Sequence, residues 1–315
     1  MTDRYFLLVL LSGVKQVIDL GGAKLRNRFM SASGCFGYGK EFAKVMDLNT
    51  LGAIVVKGLS LKPWPGNKGV RVAETPAGML NAIGLENPGV DYFIDHYLPF
   101  LKAKDIPIVV NIVGHSLDEY IQVARRLEKT GVEALELNIS CPNVKEGGIA
   151  FGTSPTKAFS VVKAVREQST LPLWVKLSPN VTDIVEIACA VKDAGADALT
   201  LINTLTGMVI DITTGKPLLG NVTGGLSGPA IRPIAIRMVY QVATKVDLPI
   251  IGVGGISSLS DALEFFMAGA SAVQVGAALF RDPLLLERLP KELEDYLKQR
   301  QLSIEEVIGL ARRSV

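Results

Sequence analysis

Short apolar runs recur along the whole chain, and polar or amphipathic stretches separate each run from the next. The runs are rich in valine, isoleucine and leucine and show little alternation with polar residues. Such continuous hydrophobicity is typical of parallel strands that are buried on both faces. The pattern predicts eight strands: Phe29–Ser33, Ala53–Leu59, Pro107–Val113, Glu133–Ile139, Pro172–Ser178, Asp197–Ile202, Pro249–Gly254 and Ala272–Gly276.

Amphipathic segments with helical spacing lie between most of these strands. Strands that alternate with helices predict an α/β fold, here a closed (β/α)8 barrel, or TIM barrel. A repeated phrase supports this, because Gly52, Gly131, Gly195 and Gly269 each precede an apolar strand at a point where glycine can end a helix. We expect one domain over residues 1–315. The predicted helices are Asp91–Lys104, Leu117–Thr130, Pro155–Gln168, Val181–Ala194, Pro229–Lys245 and Ser258–Ala268.

Two connections are unusually long and rich in glycine, proline and asparagine: Ser60–Val90 and Asn203–Gly228. Each follows the carboxyl end of a predicted strand, which is the active-site face of a barrel. Structureless loops of this length in a compact domain are usually functional. The sequence therefore predicts long insertions on the top face that serve as lids or binding loops.

The first residues also carry an apolar run, Tyr5–Leu11, directly after Arg4. The run is too short for a secretory signal and soon meets Lys15 and Asp19. We expect it to form a strand of an N-terminal hairpin below the barrel. No later segment supplies the ~20 continuous apolar residues that a membrane span requires.

Composition excludes several classes of protein. Forty-eight per cent of the 315 residues are hydrophobic, and 33 basic residues nearly balance 31 acidic ones, so no basic excess suggests nucleic-acid binding. Cys35, Cys141 and Cys189 form no CxxC pair, which argues against a disulfide framework, zinc or an iron–sulfur cluster within this chain. This usage is typical of a reducing compartment, and we expect a cytoplasmic location.

The predicted strand ends carry the residues best suited to chemistry. They offer two lysines, several amides and glycine turns, but neither a pair of carboxylates for glycoside hydrolysis nor a His/Asp cluster for a metal. In a closed barrel these ends meet at one mouth. In chain order they are Ser33, Lys57, Asn111, Asn138 with Cys141, Lys176, Asn203 with Thr204, Gly254 with Gly255, and Gly276.

Two consecutive glycine turns predict a phosphate site. GVGGISS (252–258) and VGAALF (275–280) each end a strand and begin a helical segment. Glycine lets backbone N–H groups approach an anion, and the loops after strands seven and eight are the recurrent phosphate site of barrels. Glycine is also common in ordinary strand-to-helix turns, so the paired occurrence is what favours phosphate.

A ring of amides and lysines suits a flat heterocycle with many hydrogen-bonding edges. A flavin needs positive charge near N1 and O2, and Lys176 is the candidate for that position. Lys57 could serve the flavin, a substrate carboxylate or both. For either lysine, the alternative is a solvated residue on the barrel rim.

The cysteines and histidines divide into one functional candidate and several structural ones. Cys141, in LNISCPN (137–143), follows strand four in a polar turn and can be an exposed thiol beside a glycine-rich loop. Cys189 lies within a predicted helix and is expected to be buried and inert, and packing is also expected for Cys35. His96 and His115 are expected to be structural.

Taken together, the motifs closely resemble those of the class 1 dihydroorotate dehydrogenases, from about Asn27 to Arg281. Cysteine at position 141 resembles class 1 and not the membrane-associated class 2. Two long phrases, NTLTGMVID and NVTGGLSGPA, resemble subclass 1B. The matching motifs are SASGCFG (31–37), RVAETPAGMLNAIGLENPG (71–89), LNISCPN (137–143), VKLSPN (175–180), LINTLTGMVID (201–211), GGLSGPAIRP (224–233) and GVGGI (252–256).

The resemblance implies a reaction and its residues. Cys141 would remove the C5 proton of dihydroorotate while a hydride from C6 passes to FMN, giving orotate for pyrimidine (UMP) biosynthesis. Lys57 would bind the substrate carboxylate, and Asn81, Asn138 and Asn203 would read the pyrimidine edge. The implied substrate contacts are Lys57, Asn81, Ala82, Ile83, Gly84, Leu85, Asn138, Asn203 and Thr204. The implied FMN contacts are Ser33, Lys57, Gly58, Asn111, Asn138, Lys176, Ile202, Gly228, Gly254, Gly255, Gly276 and Ala277.

The resemblance to subclass 1B also implies partners. Its members form dimers or heterotetramers, in which a second subunit with FAD and a 2Fe–2S cluster passes electrons to NAD. This chain departs from the family pattern in NRFMSASG (27–34), and Ala277 stands where a threonine is common beside the phosphate. Another acceptor such as fumarate remains an alternative, as do a related barrel acting on another pyrimidine, a non-redox phosphate-binding barrel and a non-catalytic scaffold.

Overall fold

The computed structural model describes residues 17–140 and 151–313. In chain order the strands are β1 (Ile18–Leu20), β2 (Ala23–Leu25), β3 (Phe29–Ser31), β4 (Ile54–Leu59), β5 (Val72–Thr75), β6 (Gly78–Asn81), β7 (Ile108–Ile112), β8 (Ala134–Asn138), β9 (Leu173–Lys176), β10 (Ala198–Leu201), β11 (Leu205–Met208), β12 (Ile210–Asp211), β13 (Lys216–Pro217), β14 (Thr223–Ser227), β15 (Ile250–Val253) and β16 (Ala272–Val275).

The described α-helices are α1 (Val90–His96), α2 (Leu98–Lys102), α3 (Leu117–Leu127), α4 (Pro155–Arg166), α5 (Ile184–Asp193), α6 (Arg232–Lys245), α7 (Leu259–Ala268), α8 (Leu285–Arg300), α9 (Ile304–Val307) and α10 (Leu310–Arg313). Short 3-10 helices lie at Phe42–Lys44, Leu48–Thr50, Pro229–Ile231 and Ala277–Phe280.

Eight parallel strands form a closed barrel. Their order is β3-β16-β15-β10-β9-β8-β7-β4, and every hydrogen-bonded pair in this order is parallel. The two end strands meet through a parallel bridge between Met30 and Ala53, and the Gly52 N–H donates to the Phe29 carbonyl at 2.7 Å. All eight predicted strands are confirmed, and so is the (β/α)8 barrel.

A hairpin of β1 and β2 closes the amino-terminal end of the barrel. Its apolar residues Leu20 and Leu25 are buried in a cluster that includes the barrel residues Trp174 and Ala134. The Trp174 indole donates to the Leu20 carbonyl at 3.2 Å. An N-terminal hairpin was expected, but its predicted strand Tyr5–Leu11 lies outside the described residues.

Six predicted helices correspond to helices in the structure, with one division. The segment predicted as Asp91–Lys104 forms α1 and α2, which meet at Tyr97. Pro99 explains the break, because it lacks an N–H and fits the first turn of a helix but not its interior. The sequence patterns assigned no helix after Ala268, whereas α8 packs Leu285, Leu289 and Leu293 into the core.

The four glycines of the repeated phrase do not share one role. Gly131, Gly195 and Gly269 have positive φ angles of 73°, 99° and 124°, as expected for glycines that end helices. Gly52 differs, since a Cβ there would lie 2.1 Å from the Asn27 carbonyl oxygen. It is therefore required by a close approach of two backbone segments.

The two long insertions are present on the top face, as predicted, but the prediction of structureless loops was wrong, because both contain strands. β5 and β6 come from the first insertion and β11 and β14 from the second, and together they form an antiparallel sheet in the order β11-β14-β6-β5. Asn81 of β6 pairs with Gly225 of β14. The insertions follow β4 and β10, so this sheet lies on the top face, beside the mouth.

Within the described ranges, no helix combines the length and apolar character needed to cross a lipid bilayer.

Candidate active site

One predicted pair of site residues meets across the whole barrel mouth. The Lys176 ammonium at the end of β9 donates to the Ser33 hydroxyl, which follows β3, at 3.2 Å. Three strands separate β3 from β9 in either direction around the barrel. Lys176 is only 4% exposed, so its charge is held inside the protein.

A chain of side-chain amides lies beside this lysine. The side-chain amide of Asn138 donates to Asn111 Oδ1 at 3.4 Å, and the side-chain amide of Asn203 donates to Asn138 Oδ1, also at 3.4 Å. Asn203 donates further to the Ser140 hydroxyl at 2.7 Å. Ser140 in turn donates to Asn138 Oδ1 at 3.0 Å. Three predicted site residues, from β7, β8 and the end of β10, are thus connected.

A buried carboxylate lies below these amides. Glu136 faces the barrel interior, because it is two residues before Asn138 on the same strand. It accepts hydrogen bonds from Asn111 at 2.7 Å and from Gln274 at 2.6 Å, and the oxygen that accepts from Asn111 also lies 3.7 Å from Lys176 Nζ. Oε1 is the atom that faces both Asn111 and Lys176, while Oε2 faces Gln274.

Lys57 occupies a different, partly open part of the mouth. It lies half-buried in β4, and burial lowers the pKa of its ammonium below the ordinary value of 10.5. The nearby Glu86 carboxylate opposes that shift of the Lys57 pKa, while the Arg71 guanidinium adds to it. Arg71 and Glu86 also form an ion pair with each other. The next residue of β4, Gly58, needs to be small, since a Cβ there would lie 2.8 Å from Asn111 Oδ1.

The glycine turns after β15 and β16 have the shape of an anion site. Within the described part of the chain, the N–H groups of Gly255, Gly276 and Ala277 donate no hydrogen bond. All three residues are half-buried. A Cβ at Gly255 would lie 2.7 Å from the Gly228 carbonyl oxygen. Gly228 itself has a φ of 100° and lies at the end of β14, so the top sheet reaches this turn.

The remaining predicted site residues surround this centre. Asn81, at the end of β6, donates to the Gly225 carbonyl at 3.3 Å, and Leu85 adopts a left-handed φ of 56° in the loop that follows. Asn180 was missed by the sequence patterns, although its amide donates to the Thr204 carbonyl at 3.1 Å. Ile202 and Ala82 are buried. Gly254 lies at the end of β15 with a φ of 137°. Ile83 and Gly84 are half-buried and lie between Ala82 and Leu85 in the chain.

The cysteines differ in their positions. Cys141 lies outside the described residues. Cys35 is half-buried, and an added Cβ at Gly276 would lie 3.3 Å from its sulfur. Desolvation raises the pKa of the Cys35 thiol to about 11, although the Lys176 charge opposes the rise. Cys189 in α5 packs against the core, half-buried rather than fully buried.

The two histidines pack against aromatic rings. His96 stacks on Tyr92 with ring centroids 3.9 Å apart, and His115 packs on Trp64 at 4.0 Å. Among the described residues, no group of three or more His, Cys, Asp or Glu side chains could hold a metal ion.

Sequence comparison identifies the family. A family model described as dihydroorotate dehydrogenase matches residues 17–297. The chain belongs to the dihydroorotate dehydrogenase family.

Relatives in this family are similar over nearly their whole length. A protein of Geobacter metallireducens named dihydroorotate dehydrogenase B (NAD(+)), catalytic subunit, is 58% identical over 93% of this chain and 96% of its own length. A protein of the same name from Anoxybacillus flavithermus is 57% identical over 90% of this chain and 91% of its own. Family membership makes this chain an oxidoreductase.

Sequence patterns missed four side chains that organise the candidate site: Ser140, Glu136, Gln274 and Asn180. Two of them carried a usable signal. Glu136 and Gln274 each lie two residues before a predicted site residue on the same strand, so the period of two directs them into the barrel. Ser140 and Asn180 lie in loops, where no such periodicity applies.

Proposed function

We propose that this chain oxidises dihydroorotate to orotate in pyrimidine (UMP) biosynthesis, with FMN as its cofactor. The observation that carries the proposal is one barrel mouth that combines a buried Lys176, a chain of three asparagine amides and a pair of glycine turns with unused N–H groups. Membership of the dihydroorotate dehydrogenase family supports the same activity.

The residues at the mouth fit FMN. The N–H groups of Gly255, Gly276 and Ala277 suit a phosphate, and replacement of threonine by alanine at 277 leaves that N–H in place. Lys176 and Ser33 suit the pyrimidine side of the flavin, where a positive charge stabilises the reduced form. We assign FMN contacts to Ser33, Lys57, Gly58, Asn111, Asn138, Lys176, Ile202, Gly228, Gly254, Gly255, Gly276 and Ala277.

The substrate would lie between the amides and the loop after β6. Lys57 is a half-buried cation suited to the carboxylate of dihydroorotate. Asn203 already donates a hydrogen bond to Asn138 Oδ1, which orients both side chains for reading the ring's N–H and C=O groups. We assign substrate contacts to Lys57, Asn81, Ala82, Ile83, Gly84, Leu85, Asn138, Asn203 and Thr204.

In the proposed reaction, the thiolate of Cys141 takes the C5 proton of dihydroorotate, and a C5=C6 double bond forms as hydride leaves C6. When bound, FMN supplies the acceptor for that hydride. The role of Cys141 rests on the family resemblance. Ser140, which directly precedes it in the sequence, is buried and hydrogen-bonded to both Asn138 and Asn203.

We further propose that a partner subunit carrying FAD and a 2Fe–2S cluster receives the electrons and reduces NAD, in a homodimer-based heterotetramer in the cytoplasm. The names of the relatives support this proposal, because each name contains both NAD(+) and the words catalytic subunit.

The experiment is anaerobic mixing of the purified chain with dihydroorotate. We expect a yellow protein with one FMN per chain, loss of flavin absorbance on mixing, and release of one orotate per flavin. NAD should not be reduced until the partner subunit is added. A colourless protein, or a flavin that dihydroorotate does not reduce, would contradict the proposed activity.

A further inference from the structure

The interior of the barrel contains a polar layer, of which the proposed function uses only Asn111 and Lys176. It consists of five side chains from five strands, each between 0% and 4% exposed: Asn111, Glu136, Lys176, Thr200 and Gln274. Apolar side chains around Trp174 lie on one side of the layer, and the amides of the mouth lie on the other. A carboxylate and an ammonium are costly to bury, so their place here needs a reason.

Glu136 is the centre of this layer. Its Oε1 accepts from Asn111 at 2.7 Å and lies 3.7 Å from the Lys176 ammonium. Its Oε2 accepts from Thr200 at 3.0 Å and from Gln274 at 2.6 Å. The contact with Gln274 crosses the barrel, because β8 and β16 are separated by three strands in either direction. One carboxylate therefore joins four other strands.

The carboxylate determines which way the Asn111 amide points. An ionised carboxylate only accepts hydrogen bonds, so the Asn111 NH2 group must face Glu136. The Asn111 carbonyl oxygen is then turned toward the mouth, where it accepts from Asn138. Reversal of the Asn111 amide would place its NH2 group against the NH2 group of Asn138. It would also place the Asn111 side-chain oxygen against Glu136 Oε1.

The same carboxylate balances the charge of Lys176. The Ser33 hydroxyl is the other polar partner of this ammonium within the described ranges, and it carries no charge. A buried charge without a counter-charge is strongly destabilising, and removal of one partner costs more than removal of both. Glu136 thus supplies the counter-charge of a lysine that is almost closed to water.

We propose that Glu136 is a positioning residue, which supplies the counter-charge of Lys176 and orients Asn111 toward the cofactor site. The inference rests on the proposed FMN site, since these two residues are among its assigned contacts. Glu136 does not touch the mouth itself and acts only through them.

The test is a double-mutant cycle with E136Q, K176M and E136Q/K176M, in which FMN dissociation constants and flavin midpoint potentials are measured. Glutamine keeps the shape of glutamate but removes its charge and one acceptor. We expect K176M to weaken FMN binding at least about tenfold with Glu136 present and by less than about threefold in the E136Q background. The shift in midpoint potential caused by K176M should shrink in the same way. Independent effects, which multiply, would overturn the proposal.

A matched control separates positioning from general stability. E128Q replaces a carboxylate that accepts from the Ser169 and Thr170 hydroxyls, both at 2.5 Å, outside the barrel. It should leave the midpoint potential and the FMN dissociation constant unchanged. If E128Q shifted the flavin midpoint potential as much as E136Q, the effect would come from a general loss of stability, and the proposal would be contradicted.

Failure of E136Q to fold would also be informative. If the loss comes from an unpaired Lys176, the E136Q/K176M variant should recover soluble protein with a higher melting temperature than E136Q. A double variant as unstable as E136Q, with K176M alone soluble, would overturn the pairing. Wild-type protein that does not retain FMN would instead refute the proposed function, so the two failures are distinct.

Discussion

The Asn203 side chain donates a hydrogen bond to the Ser140 hydroxyl at 2.7 Å, and this bond joins the segments that follow β10 and β8. Ser140 is fully buried and uses its own hydroxyl proton on Asn138 Oδ1. One serine therefore fixes two of the amides that we assign to the substrate. In the chain it directly precedes Cys141, the residue that we assign to proton transfer.

The first prediction concerns this serine. S140A removes an acceptor from Asn203 and a donor from Asn138, and loss of such bonds at a buried site costs about 1–3 kcal/mol. We expect the orotate dissociation constant to rise about 5- to 150-fold while FMN stays bound. Flavin spectral titration with orotate measures both. S160A, which removes a helix-surface hydroxyl bonded to the Thr156 carbonyl, is the control. Unchanged orotate affinity in S140A would refute its role.

The second prediction concerns pH. Burial lowers the pKa of Lys57 from its ordinary value of 10.5, and orotate needs the protonated ammonium as the partner of its carboxylate. Below the lowered pKa, Lys57 is charged and orotate binds with full affinity. As pH rises through that pKa, the charge and the affinity are lost together. We expect the orotate dissociation constant to increase at alkaline pH before 10.5 is reached, by about tenfold per pH unit.

K57M is the control for this pH dependence. It should bind orotate weakly at every pH, with the Lys57-dependent rise absent. A K57M profile parallel to that of the wild type would assign the titration to another group.

The third prediction separates two cysteines. The pKa of the Cys35 thiol is raised to about 11, so Cys35 is almost entirely protonated at neutral pH and is a poor base. We expect C35A to reduce its flavin with dihydroorotate within about threefold of the wild-type rate, whereas C141S should be slower by about 10²–10⁴-fold. Rapid-mixing absorbance measures both rates. Slow flavin reduction in C35A together with fast flavin reduction in C141S would identify Cys35 as the base and exclude Cys141.

The fourth prediction concerns the anion site. Gly255 has a φ of 77°, and a Cβ there would lie 2.7 Å from the Gly228 carbonyl oxygen. G255A should therefore distort the turn and weaken FMN binding, with a stability loss of about 1–3 kcal/mol. G215A is a matched control, because Gly215 has a similar φ of 68° but no atom within 4 Å of an added Cβ. FMN retention lost equally in both variants would contradict the proposed cradle.

Local patterns were sufficient for the barrel but not for the sheet above it. The strand Glu133–Ile139 was predicted from its apolar residues alone, and β8 covers Ala134–Asn138. The top sheet depends on pairs such as Asn81 with Gly225, which lie far apart in the chain. Their pairing leaves no trace in short windows of sequence, so these segments resembled long loops. The helix α8 did have the required spacing of leucines, and its omission was an error of interpretation.

Sequence patterns predict which residues belong to the candidate site better than they predict the contacts between those residues. Strand-end positions directed Lys176 and Asn138 to one mouth, and the structure has them on adjacent strands. No sequence pattern indicates that Lys176 reaches Ser33 across the barrel or that Glu136 lies below it, because both contacts depend on strand order and barrel closure. The assigned roles of the cofactor and substrate residues, and the single-domain organisation, stay predictions.

The pairing of β6 with β14 links the lengths of the two insertions. Asn81 ends β6 on the proposed substrate side, and β14 runs from its partner Gly225 toward Gly228 at the proposed phosphate turn. A deletion in either insertion that shifts this register by one residue would turn the neighbouring side chains to the opposite face. Variants of this chain can thus change the length of the turn between β12 and β13, whereas a change of length in β6 requires a matching change in β14.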